Sequence, residues 1–166
     1  MGTELKIGTK APAFTLPSET GEKVSLRDFK GRKLVIYFYP RADTPGCTRE
    51  SIDFSRLRSQ FDKAGAAILG VSADPVKAQQ AFKKKHDLNL NLLSDETHKM
   101  LESYRAWGKK SMYGKEFMGV LRTTFLIGAD GRIAKIWSKV KVEGHAEEVL
   151  EACRRTEDRG QTTDDR

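Results

Sequence analysis

The segment Leu34-Val-Ile-Tyr-Phe-Tyr39 constrains this chain more than any other: an unbroken apolar and aromatic run with Pro40 at its end. A strand with one wet face alternates apolar and polar residues, so a continuous run predicts a strand covered on both faces. A second such run, Ala67-Ala-Ile-Leu-Gly-Val-Ser72, follows after a stretch from Pro45 to Ala64 that carries helical spacing. Two doubly covered strands joined through a helix predict a parallel pair with helices packed on it.

The remaining elements extend the alternation. Asp74-Pro75 opens a helix running to about His86, Leu90 to Leu93 is a short strand, and His98 to Tyr104 is another helix. Thr123 to Ile127 and Ile133 to Trp137 read as a hairpin across Ala129-Asp-Gly131, and Ala146 to Cys153 as a final helix. Upstream, residues 12–29 read as a polar hairpin, Phe14-Thr-Leu then Lys23-Val-Ser-Leu, turning at Glu19-Thr-Gly21. The expected fold class is α/β, a thioredoxin-like architecture with an N-terminal β-hairpin extension. Residues 1–153 are expected to form a single domain, and the polar tail 154–166 is expected to be disordered.

Composition sets limits on function. With 166 residues, 38% of them hydrophobic, the chain can bury a core and is not a disordered polymer. The net charge of +7 is diffuse, without interleaved aromatic platforms or a nucleic-acid motif, so no nucleic-acid partner is expected. No apolar run approaches the roughly 18 residues of a membrane span, and the start lacks a signal-like apolar stretch, so a cytoplasmic protein with no membrane partner is expected. The two cysteines, Cys47 and Cys153, form no Cys-x-x-Cys and no Cys/His cluster, so neither a metal nor another cofactor is expected.

The informative stretch is Pro40-Arg-Ala-Asp-Thr-Pro-Gly-Cys-Thr-Arg-Glu50, between the first covered strand and its helix. Thr44 is a good N-cap, Pro45 suits the first helical position, and Cys47 then stands third. A thiolate placed there faces unpaired backbone N–H groups and the positive end of the helix dipole, the setting in which thiols become reactive. Cys47, Glu50, Phe54, Leu57 and Phe61 share one helical stripe, so Glu50 points with the sulfur toward the core and needs a cation, an arginine near a strand end being preferred. Thr44-Pro-Gly-Cys47 has a hydroxyl where a Cys-x-x-Cys pair has its first sulfur, which suits oxidation of one thiol by a small oxidant rather than dithiol exchange.

Pro40-x-x-x-Thr44-x-x-Cys47 resembles the peroxiredoxin active-site motif, and Tyr39 to Glu50 is similar to its Q branch, also called bacterioferritin comigratory protein. Lys110-Ser-Met-Tyr-Gly-Lys-Glu-Phe-Met-Gly119, Arg122-Thr-Thr-Phe-Leu-Ile127 and Lys139 to Leu150 match as well, so the resemblance spans residues 4–153. It implies a thiol peroxidase that reduces hydrogen peroxide and organic hydroperoxides and takes part in antioxidant defence. In that resemblance Cys47 is the peroxidatic cysteine, Thr44 the hydroxyl that bonds the peroxide, Pro40 the shield of the sulfur, Arg122 the activating arginine and Glu50 its orienting acid. The Thr44 hydroxyl, the Gly46 and Cys47 N–H groups and the Arg122 guanidinium are the donors suited to a stretching O–O bond.

The chain departs from the family in its second sulfur. Many members carry a resolving cysteine five residues after the peroxidatic one, where this chain has Ile52, and the helix from Pro75 to Lys85, where others place it, has none. Either the sulfenic acid is reduced by an external thiol (thioredoxin, glutaredoxin or a small thiol) or Cys153 resolves it, within the chain or between subunits; the one-cysteine reading is preferred. A monomer or weak dimer is expected. The competing function classes are a redox-silent thioredoxin-like adaptor and a basic binding module. His86, His98 and His145 are expected to be exposed, Trp107 and Trp137 to be packing anchors, and Lys83 to His86 to be a solvated helix face.

Overall fold

The computed structural model describes residues 5–156. In chain order the elements are β1 (Thr15–Pro17), β2 (Lys23–Ser25), a 3-10 turn (Leu26–Phe29), β3 (Lys33–Phe38), α1 (Pro45–Arg56), α2 (Arg58–Lys63), β4 (Ala66–Ser72) and α3 (Val76–His86). They continue with β5 (Asn91–Ser94), α4 (Lys99–Ser103), β6 (Trp107–Met112), β7 (Lys115–Val120), β8 (Thr123–Ile127), β9 (Ile133–Trp137) and α5 (His145–Arg155).

Strand β3 lies at the centre of a five-stranded sheet of order β5-β4-β3-β8-β9. It runs parallel to β4, which runs parallel to β5, while β8 is antiparallel to β3 and β9 to β8. The pleat divides the apolar run between two cores. Val35, Tyr37 and Tyr39 pack with Phe54, Phe61, Phe82 and Val149 on one side, and Leu34, Ile36 and Phe38 pack with Leu101, Tyr104 and Phe125 on the other. Every residue of β3 and β4 is buried, which is why both read as continuous rather than alternating. This is the expected thioredoxin-like arrangement, and β1 and β2 pair as the expected N-terminal hairpin.

Several expectations need correction. The helix from Pro45 is broken at Leu57, whose backbone (φ −94°, ψ 4°) leaves the α region and whose N–H is shared between the Asp53 and Phe54 carbonyls. The hairpin β6–β7 is absent from the sequence reading; its strands are largely exposed on both faces, so no two-residue apolar period marks them. Helix α5 continues to Arg155, two residues beyond the expected domain end, and the rest of the tail, 157–166, lies outside the described residues.

None of the three histidines is exposed. His145 is 4% exposed and its Nε2 lies 2.9 Å from Thr124 Oγ1, His98 stacks on Trp107 at 3.9 Å, and His86 sits beside Asp43. Each is held by a tertiary partner that local pattern does not reveal. Of the run Lys83 to His86, Lys84 and Lys85 are exposed as expected of a solvated face, while Lys83 Nζ donates to the buried Glu19 carboxylate at 2.8 Å and Lys85 and His86 both meet Asp43 at 2.9 Å. Trp107 and Trp137 do pack against the two cores. No helix among the described residues is long and apolar enough to cross a membrane.

Candidate active site

Helix α1 begins just beyond the C-terminal end of β3, with Thr44 at the N-cap, Pro45 at the first position and Cys47 at the third. The first helical hydrogen bond that closes here runs from the Thr48 N–H to the Thr44 carbonyl at 2.8 Å. Pro45 has no N–H, so the Gly46 and Cys47 amides stand at the open positive end of the helix, as the sequence predicts. The Thr44 side chain departs from expectation: it makes no cap bond, and its hydroxyl donates instead to the Arg41 carbonyl at 2.8 Å. The chain enters the helix through Asp43 at φ +62°, and that turn brings the Arg41 carbonyl within reach of the hydroxyl.

The stripe read from the sequence is the buried face of α1, continued past the break at Leu57 onto α2. Cys47, Glu50, Phe54, Leu57 and Phe61 are all buried, with Cys47 only 1% exposed. The required cation is Arg122, which lies one residue before β8 and whose carbonyl accepts from the Val140 N–H at 3.1 Å. Arg122 Nη1 donates to Glu50 Oε1, and Nη2 donates to Cys47 Sγ at 3.3 Å. One guanidinium therefore joins the carboxylate to the sulfur, although it stands 75 residues from one and 72 from the other. A planar fork with fixed N–H directions can do this; a lysine ammonium cannot hold both in one geometry.

Burial pushes the Glu50 carboxyl up to about 7, against the opposing pull of Arg122. Its second oxygen, Oε2, has no hydrogen-bond partner among the described residues. Gly46 is close to the guanidinium as well: a Cβ there would stand 3.3 Å from Arg122 Nη2. Pro40 and Arg122 line one cavity of about 920 Å³.

The structure thus brings Cys47, Glu50, Arg122 and Gly46 into one cluster, with Pro40 and Thr44 at its margin. Cys153 is placed differently. It is fully buried in the core at the end of α5, burial pushes its thiol up to about 12, and its carbonyl accepts from Lys33 Nζ at 2.9 Å.

Two carboxylates, Asp74 and Asp43, position the loop from Pro40 to Thr44. Asp74 Oδ2 accepts from the Ala42 N–H and from the Ser72 hydroxyl, each at 2.7 Å, and Asp43 is held by Lys85 and His86. The sequence offers only one hint of these, since Asp74 before a proline reads equally well as a helix opener, and nothing local marks Asp43.

Residues 7–136 match the AhpC/TSA family. Peroxiredoxin Bcp of Bacillus subtilis (strain 168) is 45% identical over 150 residues, covering 90% of this chain and 96% of that protein. A Xanthomonas campestris bacterioferritin comigratory protein, described with its alkyl peroxide reduction activity, superposes with a TM-score of 0.83 at 40% identity, covering 93% of this chain and 98% of that one. The C47S mutant of Xylella fastidiosa PrxQ superposes with a TM-score of 0.87 at 35% identity, covering 93% and 98% of the two chains.

Proposed function

The chain belongs to the AhpC/TSA family, and from that membership we infer a thiol peroxidase that reduces hydrogen peroxide and organic hydroperoxides through Cys47. The observation that carries the assignment of roles is the Arg122 bridge between Cys47 Sγ and Glu50. Cys47 as thiolate attacks the distal oxygen of the hydroperoxide, and the O–O bond breaks. Cys47 becomes sulfenic acid, and the departing alkoxide takes a proton and leaves as an alcohol, or as water from hydrogen peroxide. The negative charge moves from sulfur to the leaving oxygen, so donors aimed at that oxygen lower the barrier. Arg122 and the Gly46 and Cys47 amides are those donors; the Thr44 hydroxyl joins them by rotating off the Arg41 carbonyl. Pro40, which lines the same cavity as Arg122, is the proposed shield of the sulfur, and the exposed Pro45-Gly46 turn is the approach proposed for the peroxide.

The sulfenic acid returns to thiol at the expense of two external thiol groups: the first displaces water and forms a mixed disulfide with Cys47, the second releases Cys47 and leaves a disulfide product. Thioredoxin, glutaredoxin or a small thiol fits this step. The one-cysteine reading is supported by Cys153, which is 0% exposed and whose thiol is pushed far from ionisation. One domain that takes in α5 to Arg155, a cytoplasmic location suited to two unpaired thiols, and a monomer or weak dimer complete the proposal.

The test is peroxide consumption together with mass spectrometry after one equivalent of peroxide. Wild type and Cys153→Ala are expected to form sulfenic acid on Cys47 and to turn over with a thiol reductant, and Cys47→Ser to do neither. A Cys47–Cys153 crosslink in the wild type overturns the one-cysteine reading. Arg122→Lys is expected to slow the reaction by roughly 10²-fold, well beyond any loss of thiolate seen by ultraviolet absorbance. A rate that falls only in proportion to thiolate refutes the role given to the guanidinium.

A further inference from the structure

Among the described residues six large apolar side chains are exposed, and four of them lie on the β6–β7 hairpin: Met112 (56%), Tyr113 (96%), Phe117 (44%) and Met118 (53%). The hairpin forms a two-stranded sheet of its own, apart from the central one. Its register pairs Lys110 with Phe117 and Met112 with Lys115, and these four residues share one face. Glu116 is on the opposite face, with Lys109 Nζ 3.7 Å away. The first face therefore carries two cations, two large apolar groups and no carboxylate; Lys110 Nζ donates to the Val120 carbonyl at 2.9 Å, so Lys115 is the cation exposed at the hairpin end. At the tip, Tyr113 and Gly114 take φ of +53° and +78°, a tight turn that leaves the tyrosine ring almost wholly in water.

A patch of this kind costs free energy in water and marks a contact surface. Its composition selects the partner. Lys115 beside Met112, Tyr113 and Phe117 on an exposed hairpin end suits a deformable surface that takes apolar groups inward and holds anions at its rim. A protein partner would need a matching concavity packed to interior density. A lipid surface with anionic headgroups meets both requirements: aromatic rings settle at the headgroup boundary and ammonium groups lie among the phosphates. The overall charge of +7 adds long-range attraction of the same sign.

We propose that the β6–β7 hairpin docks this protein reversibly on anionic lipid surfaces, with Met112, Tyr113 and Phe117 inserted at the headgroup boundary and Lys115 among the phosphates. The proposal is independent of the peroxidase reading.

The test is co-sedimentation of the full chain with vesicles of mixed phosphatidylglycerol and phosphatidylcholine, against vesicles of phosphatidylcholine alone. Binding is expected to the anionic vesicles only, weakening as salt is raised. Each lysine contributes about five-fold to partitioning, so Lys115→Glu should weaken binding by at least that factor. The double variant Met112→Ser, Tyr113→Ser should weaken it about tenfold or more. Both variants keep wild-type peroxide consumption and melting temperature, because none of the three positions is buried. Absence of vesicle binding, equal binding to neutral vesicles, or anionic binding untouched by the hairpin variants each overturns the proposal. A hairpin-dependent dimer in sedimentation without lipid binding assigns the surface to a second copy and overturns it too.

Discussion

At Gly46 the need for a small residue comes from a neighbour, since its own backbone lies outside the left-handed region. A Cβ would meet Arg122 Nη2 at 3.3 Å, so alanine obliges the guanidinium to give by a few tenths of an ångström. That is the group which must hold Cys47 and Glu50 at once. Gly46 is the second helical residue, where alanine is the better helix former by up to about 1 kcal/mol. Gly46→Ala is therefore expected to melt no lower than wild type while reducing peroxide by roughly tenfold less, because small misplacements at a reacting centre are costly. Stopped-flow kinetics beside a thermal melt checks this; unchanged kinetics would show that Arg122 has room to spare. Cys47 and Glu50 were legible in the sequence because both stand on a helix whose start and face are local properties. Arg122 was legible by resemblance, and as a chemical need created by a buried carboxylate.

Lys33 connects elements through the backbone. It is the first residue of β3, only 6% exposed, and its Nζ donates to the Ala64 carbonyl at the end of α2 and to the Cys153 carbonyl in the last turn of α5. Helix ends leave carbonyls without intrahelical partners, and here one ammonium satisfies two of them. Lys33→Met keeps the volume and removes both bonds, so unfolding in urea should show a loss of about 1–3 kcal/mol. A more stable variant would mean that desolvating the ammonium outweighs the two bonds. The break at Leu57 belongs to this scale as well. Its residue type allows the helix to continue, and only the packing of α1 and α2 against one core decides that the axis turns there.

Acid stability is set across the whole molecule. His145 begins α5, but its ring contacts Thr124 on β8 and packs edge-on against Phe54 of α1 and Trp137 of β9. Burial holds it neutral and lowers its pKa from 6.5 to about 4. Between those values the unfolded chain binds the proton and the folded one does not. Stability is therefore complete above pH 6.5 and falls as pH drops toward 4, by on the order of 3 kcal/mol. Glu50 acts in the opposite sense, since its folded value of about 7 favours the native state at the acid end of that window. Urea unfolding at pH 7 and pH 4.5 should show His145→Gln losing less stability on acidification than wild type, and Glu50→Gln losing more. Identical slopes for all three would refute both assignments.

What the sequence determined by itself was whatever repeats along the chain or is carried by neighbours: the covered strands β3 and β4, the helical stripe from Cys47, the open helix N-terminus and the closing β8–β9 hairpin. Burial on both faces imposes a composition that needs no knowledge of the partner. Tertiary structure alone decided which groups meet across the fold. The Arg122 bridge, the Asp74 and Asp43 anchors of the active-site loop, the enclosure of His145 and the open β6–β7 hairpin all depend on side chains far apart in the chain or on faces left uncovered, and a polar residue is written the same way whether solvent or a partner 70 residues away satisfies it.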